Sequence, residues 1–292
     1  MFYEVDVPKK RPGVKWAAAT VVLNPSESRR LLARATVATP EVRHAYERGT
    51  IIIARGITNA YVTEELLGMT VEPKAGLTVG MVCGGVTTGN SGPPATTRHV
   101  IRRGEVVEGA DSKVEVLSFG PDDVFIKGAN AIDMNGNAGI FASSLVGGTI
   151  GMAWPVVIPR GAHLIMPVGL EKLIPSVVEA ARCTGIYHFK WSTGMPARLM
   201  PVELGEVITE VQALALLAGV KATHVGSGGV GGSEGAVVLS IEGEEAAVDK
   251  AFDLVTSIKG EPPVGVPETL FVKSAADFGY DPRAQLATLK GR

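Results

Sequence analysis

Asp122–Gly139 reads DDVFIKGANAIDMNGNAG, and its reading decides the fold. An apolar run, Val124 to Ile126, meets Lys127 and Gly128; Asn130, Asp133, Asn135 and Asn137 then follow among small residues. A strand that stops in a cluster of short polar side chains is either a surface turn or the rim of a binding site. The segments on either side help choose between the two.

Upstream, residues 25–48 read as helical, with Pro25 and Ser26 as start signals and Gly49 as a stop. TIIIARG (Thr50–Gly56) is a β-branched run closed by glycine and reads as a buried strand. TNAYVTEELLG follows as a helix capped by Thr58 or Asn59 and stopped by Gly68. LTVGMVCGG, SKVEVLSFG and DDVFIKG are expected strands. Downstream come a small-residue helix around Leu145–Trp154, the strand HLIMPVG and the helix LEKLIPSVVEAARC. This alternation predicts an α/β fold with a Rossmann-like, mostly parallel sheet covered by helices on both faces.

The pattern changes near Met195–Glu206. Beyond it EVITEVQALALLAG reads as a helix, VKATHVGSGG and GAVVLSIEG as a hairpin, and EEAAVDKAFDLVTSIKG as an amphipathic helix. Helix, hairpin and helix suggest a small α+β unit of ferredoxin-like type. The expected division is therefore 1–200 and 201–292.

Composition narrows the function. A net charge of −2, with no basic stretch long enough to track phosphates, argues against nucleic acid. The two cysteines, Cys83 and Cys183, are isolated, which fits a reducing cytoplasm and offers no metal cage. His188 and His224 have no partner at metal-ligand spacing, so neither a metal nor a cofactor is expected. The opening residues contain no apolar core of a signal peptide. Met134–Pro159 carries no formal charge and is long enough for a membrane span, but Asn135, Asn137 and Pro155 interrupt it. It reads as a helix buried between a sheet and a neighbour, so no membrane partner is expected.

Three glycine-marked strand ends could share one crevice. In the first, Gly56, Thr58 and Asn59 stand where free amides at a helix start would hold an anion; the alternative is a plain cap. The second, Cys83–His99, offers close backbone approach at Gly84 and Gly85, hydroxyls at Thr87 and Thr88, and a cation at Arg98. Its alternative is an insertion without function. The third is the opening stretch, where Asn130 and Asn135 would bind and Asp133 is the one internal candidate base. In the smaller unit, the glycine-rich Gly226–Ala236 reads as a hairpin turn, with an anion-binding nest as the alternative.

The third site also carries a family resemblance. GANAI with a following NG, and the later PRGAHLIMPVGLEKLIPSVVEAAR, resemble the superfamily of glucosamine-phosphate deaminases, ribose-phosphate isomerases and CoA transferases. The likeness covers roughly residues 50–182 and is nearest to lactate-utilisation (LUD) type domains. It implies binding, with isomerisation or acyl/CoA-type transfer, of a small anionic metabolite such as a sugar phosphate or an acyl-CoA-like compound. One departure is informative: the residue after GA is typically an acid in the isomerases, and here it is Asn130. That departure supports the alternative of a non-catalytic ligand sensor or assembly protein of the same fold. The broad apolar stripe of Ala247, Val248, Ala251, Phe252, Leu254, Val255 and Ile258 further predicts a homo-oligomer.

Overall fold

In a computed structural model of the chain, residues 1–92 and 99–271 are described. Strand β1 (Trp16–Leu23) leads into helices α1 (Pro25–Ala38) and α2 (Pro40–Arg48). The sequence predicts one helix here. Two form because Pro40 disfavours helical backbone at Thr39, which turns extended and accepts the Val42 amide at 3.4 Å. Strand β2 (Thr50–Ile53) is buried throughout, and α3 (Ile57–Leu67) ends on left-handed Gly68. A separate hairpin, β3 (Gly80–Cys83) with β4 (Val86–Gly89), stands apart from the central sheet. Then come β5 (Val100–Arg102), β6 (Glu105–Val106) and the short α4 (Ser112–Glu115).

Residues 112–118, expected as a strand, are instead helical turns. Asp111 accepts the Lys113 amide at 3.0 Å, and of the alternating pair Val114 and Val116 only Val116 is buried, while Val114 and Leu117 lie exposed, so the alternation has no sheet face to serve. Strand β7 (Val124–Ile126) is followed by β8 (Ala131–Ile132), β9 (Ala138–Ala142) and α5 (Gly148–Val157). The uncharged run Met134–Pro159 is thus a strand, a turn and a ten-residue helix. Among the described residues, no helix is long and apolar enough to cross a membrane. The chain continues through β10 (His163–Pro167), α6 (Val177–Arg182), β11 (Arg198–Val202), β12 (Glu206–Ile208) and α7 (Glu210–Ala218). It then forms β13 (Lys221–Gly228), β14 (Ala236–Glu244) and α8 (Glu245–Ser257).

The central sheet has the order β12-β10-β7-β2-β5-β6. The first four strands are parallel, and β5 and β6 close one edge antiparallel. Alternate side chains serve opposite faces. Ile51, Ile53, Val124, Ile126 and Ile165 join one buried cluster with Leu31, Leu32 and Ala35 of α1 and Val42 and Ala45 of α2. Ile52, Phe125, Leu164 and Met166 join another with Ile150, Ala153 and Val157 of α5. Covering both faces explains why these strands read as unbroken apolar runs, and each such side chain contributes about 1.5–3 kcal/mol.

A second sheet, β1-β14-β13, is antiparallel, and β1 pairs with β14 along its whole length, from Trp16 opposite Glu244 to Leu23 opposite Val237. It therefore draws strands from both sides of the division expected at residue 200. The cluster that holds Ile51 and Leu31 runs on into Leu239 and Ile241 of this sheet and Val248 and Val255 of α8. Helix α8 spends most of its apolar stripe on that cluster, and Phe252 remains 49% exposed.

Candidate functional site

The parallel strands end together at Ile53, Ile126, Pro167 and Ile208, and the residues that follow form one edge. At the β2 end, a pocket of about 220 Å³ is lined by Arg55, Gly56, Asn59, Thr70, Glu72 and His99, among others. Asn59 is buried, and its Nδ2 donates to the carbonyls of Ala54 (2.6 Å) and Ile126 (3.3 Å), tying the ends of β2 and β7. Its Oδ1 is buried without a partner and lies 4.0 Å from where a Cβ at Gly128 would stand. Thr58 is buried beside it.

Beyond this pocket runs a row of charges. Lys127 is the first residue after β7, and its backbone amide donates to Ile165. Its Nζ reaches the Arg55 carbonyl only at 3.5 Å. Among the described residues no carboxylate stands within ion-pair distance of it. Burial pulls this ammonium down to about 8, with the charge of Lys172 adding to the effect.

Next along the edge, Glu171 has its Oε1 3.7 Å from Lys172 Nζ and 3.9 Å from Arg29 Nη2, too far for hydrogen bonds. Both of its carboxylate oxygens are buried without a hydrogen-bond partner. A side chain at Gly169 would put its Cβ 1.8 Å from Glu171 Oε2, so glycine there is what leaves room for the carboxylate. Glu210, at the start of α7, is wholly buried. Its Oε2 accepts the Leu170 amide at 2.9 Å, while Oε1 is unpartnered. Burial, and then the neighbouring Glu171, push its carboxyl up to about 7. Ser28 lies close enough to oppose that shift, although its Oγ makes no hydrogen bond of normal geometry. The glycine-rich loop approaches the same place, since a Cβ at Gly235 would lie 3.7 Å from the Glu171 Cβ.

A buried carboxyl raised toward neutrality, as at Glu210, and an amine with a lowered proton affinity, as at Lys127, are costly to keep and can exchange protons near neutral pH. The edge can thus hold an anion on Lys172 and Arg29 and move a proton on Glu210 or Lys127.

The residues singled out from sequence are distributed differently. Asp133 is 1% exposed, and its Oδ1 accepts the amides of Asn135 (3.0 Å) and Asn137 (3.1 Å). Its Oδ2 accepts Asn137 Nδ2 and the Val177 amide, both at 3.0 Å. Burial opposes ionisation, but these donors outweigh it and hold the carboxyl below the usual carboxylate range. Asp133 is therefore the acceptor that ties the β8–β9 turn to α6. Four amide donors converge on it, and the Met1 ammonium lies close enough to feel its charge. Asn130 is similarly engaged, its Oδ1 accepting the Phe141 amide at 3.0 Å and its own amide donating to Gly139 at 2.8 Å. Turn geometry, the alternative reading of this stretch, accounts for each of these contacts.

Gly84 and Gly85 take left-handed backbone at the exposed β3–β4 turn. Thr87 donates to the Met195 carbonyl at 2.7 Å and so secures the Gly194–Met195 segment. Thr88 is buried, and Arg98 lies outside the described residues. Gly56 and Asn59 line the pocket and Thr58 is buried beside it. The loop residues 84–88 and the polar residues of the opening stretch do not line it. Sequence reasoning missed Arg29, Glu171, Lys172 and Glu210. Glu210 follows Thr209 in the first turn of a helix, where an acid ordinarily complements the dipole, and so gives no sign of its burial.

No known family model, curated protein or solved structure matches the chain.

Proposed function

We propose that the chain binds and chemically transforms a small anionic metabolite, of sugar-phosphate or acyl-CoA-like size and charge, at the carboxyl edge of its parallel sheet. The observation that carries this reading is the meeting of Lys127, Lys172 and Arg29 with the buried, incompletely paired Glu171 and Glu210. Lys172 and Arg29 bind the anion, and Glu210, poised to protonate near neutrality, serves as general acid or base. The pocket beside Gly56 and Asn59 receives the remainder of the ligand.

In this proposal the parallel sheet is a Rossmann-like core of the isomerase and CoA-transferase superfamily, nearest to lactate-utilisation type domains. The small sheet with α7 and α8 is a ferredoxin-like appendage through which chains self-associate, Phe252 being the exposed apolar residue of α8. Free Cys83 and Cys183 agree with a reducing cytoplasm.

The test is native mass spectrometry of the purified protein, followed by thermal-shift titration with the anions found. Lys172→Met, which removes one cation from the edge, should weaken anion binding about tenfold or more. Unchanged affinity would move the site elsewhere. The sensor reading draws support from Asn130 and Asp133, whose side chains are engaged in the turn. Binding without turnover of any carried metabolite would favour it.

A further inference from the structure

Lys127 differs from the buried Lys74. Lys74 is 8% exposed and makes ion pairs with Glu64 at 3.0 Å and Glu72 at 2.8 Å, which keep it charged. Lys127 is half-buried just past the end of a central strand, meets among the described residues a carbonyl at 3.5 Å, and has Lys172 as its like-charged neighbour. That carbonyl belongs to Arg55, which lines the pocket, so the amine lies beside one of the pocket's lining residues without itself lining it. Desolvation and a neighbouring cation are the two means by which a lysine is kept as a free amine near neutral pH.

From this geometry we infer that Lys127 is a nucleophile that forms an imine with the ligand, which is therefore an aldehyde or ketone bearing an anionic group. The inference rests on the anion-binding reading of the same edge. The neutral Nζ adds to the carbonyl carbon, the C–O π bond opens, and the oxygen takes a proton as the nitrogen loses one. The resulting carbinolamine loses its oxygen as water, with a second proton taken up, while the nitrogen lone pair forms the C=N bond and its last proton leaves. One water is released, no net proton is consumed, and no oxidant or reductant is needed. Lys172 and Arg29 hold the anionic end nearby.

The experiment incubates the full chain with pyruvate or dihydroxyacetone phosphate, reduces with borohydride, and maps adducts by peptide mass spectrometry. The expected result is about one reduced adduct per chain, on Lys127, absent from Lys127→Arg and retained in Lys190→Arg. Adducts spread over exposed lysines, or none, would overturn the inference. Competitive acetylation of the unmodified protein across pH requires no variant. Lys127 should become reactive about two pH units below the exposed lysines, and reactivity that tracks theirs would also overturn it. Glycerol 3-phosphate, which lacks a carbonyl, separates the two readings in a thermal-shift titration. Stabilisation by it with no adduct from either carbonyl probe removes the imine and leaves anion binding standing. Neither stabilisation nor adduct removes both.

Discussion

Two buried polar regions of this molecule handle charge in opposite ways. Where α1 meets α3, Arg30 donates to Glu64 (2.6 Å), Glu65 (3.0 Å) and Glu261 (3.0 Å). Lys74 pairs with Glu64 as well, and both cations lie over the Tyr61 ring, at 4.8 and 5.1 Å from its centroid. Burial works against the Arg30 charge, yet its partners outweigh it and raise its proton affinity further. At the carboxyl edge, by contrast, Glu171 and Glu210 leave three oxygens without hydrogen-bond partners, and among the described residues no carboxylate stands within ion-pair distance of Lys127. The first region spends its charges on holding three parts of the chain together. The second keeps charges that folding does not use, and such groups are the ones a ligand can satisfy.

The difference can be tested most sharply at the paired region, where the largest effect is expected. Arg30→Met leaves the partly buried Glu261 without its cation and Glu64 with Lys74 as its remaining cation, and should destabilise the fold by about 3–5 kcal/mol in urea titration. A loss below about 1 kcal/mol would mean that pairing does not distinguish the regions.

Asp133→Ala comes next. It deprives the amides of Asn135, Asn137 and Val177 of their acceptor and should cost about 2–4 kcal/mol. Ligand affinity measured on the folded fraction should not change. The pH dependence has a definite sign. The native carboxyl is held below its ordinary range, so its contribution is present above the unfolded-state pKa and is lost as acid protonates the native group. Asp133→Asn should accordingly flatten the acid limb of the stability profile. If affinity falls while stability holds, Asp133 belongs with the unpaired groups after all.

The sequence made one side of this contrast legible and hid the other. Strands β2, β7 and β10 were readable because they are buried on both faces, and helices α3 and α8 because caps and periodicity are local signals; α7 was readable only in part, since Glu206–Ile208, expected as its start, is strand β12. Strand β1 was missed. Its partner β14 lies more than two hundred residues away, and three alanines in WAAATVVL weaken the strand pattern. The short polar residues of the opening stretch drew notice because turns and binding rims use the same residue types. Lys127 lay within that stretch, but its lack of a carboxylate partner is a three-dimensional fact. Glu171 and Glu210 sit at ordinary helical starts and become unusual only when the edge assembles around them.

The smallest expected effect has the opposite sign and tests the unpaired region directly. Glu210 faces the Glu171 carboxylate, the Leu170 amide and Ser28, and its native proton affinity exceeds that of the unfolded chain. Between the ordinary carboxylate range and about pH 7, the native state therefore binds a proton that the unfolded state has released. Stability must fall as pH rises through that window, because the native state then has to carry a buried charge. Glu210→Gln keeps an oxygen for the Leu170 amide and removes the charge. It should match the parent near pH 4 and be more stable by about 1–2 kcal/mol near pH 8. A difference that is constant with pH, or a loss at pH 8, would show that Glu210 is already satisfied and belongs with Arg30 and Asp133. If the stabilised variant also loses turnover of whatever ligand the edge binds, the unpaired carboxylate is a group retained for chemistry at the expense of stability.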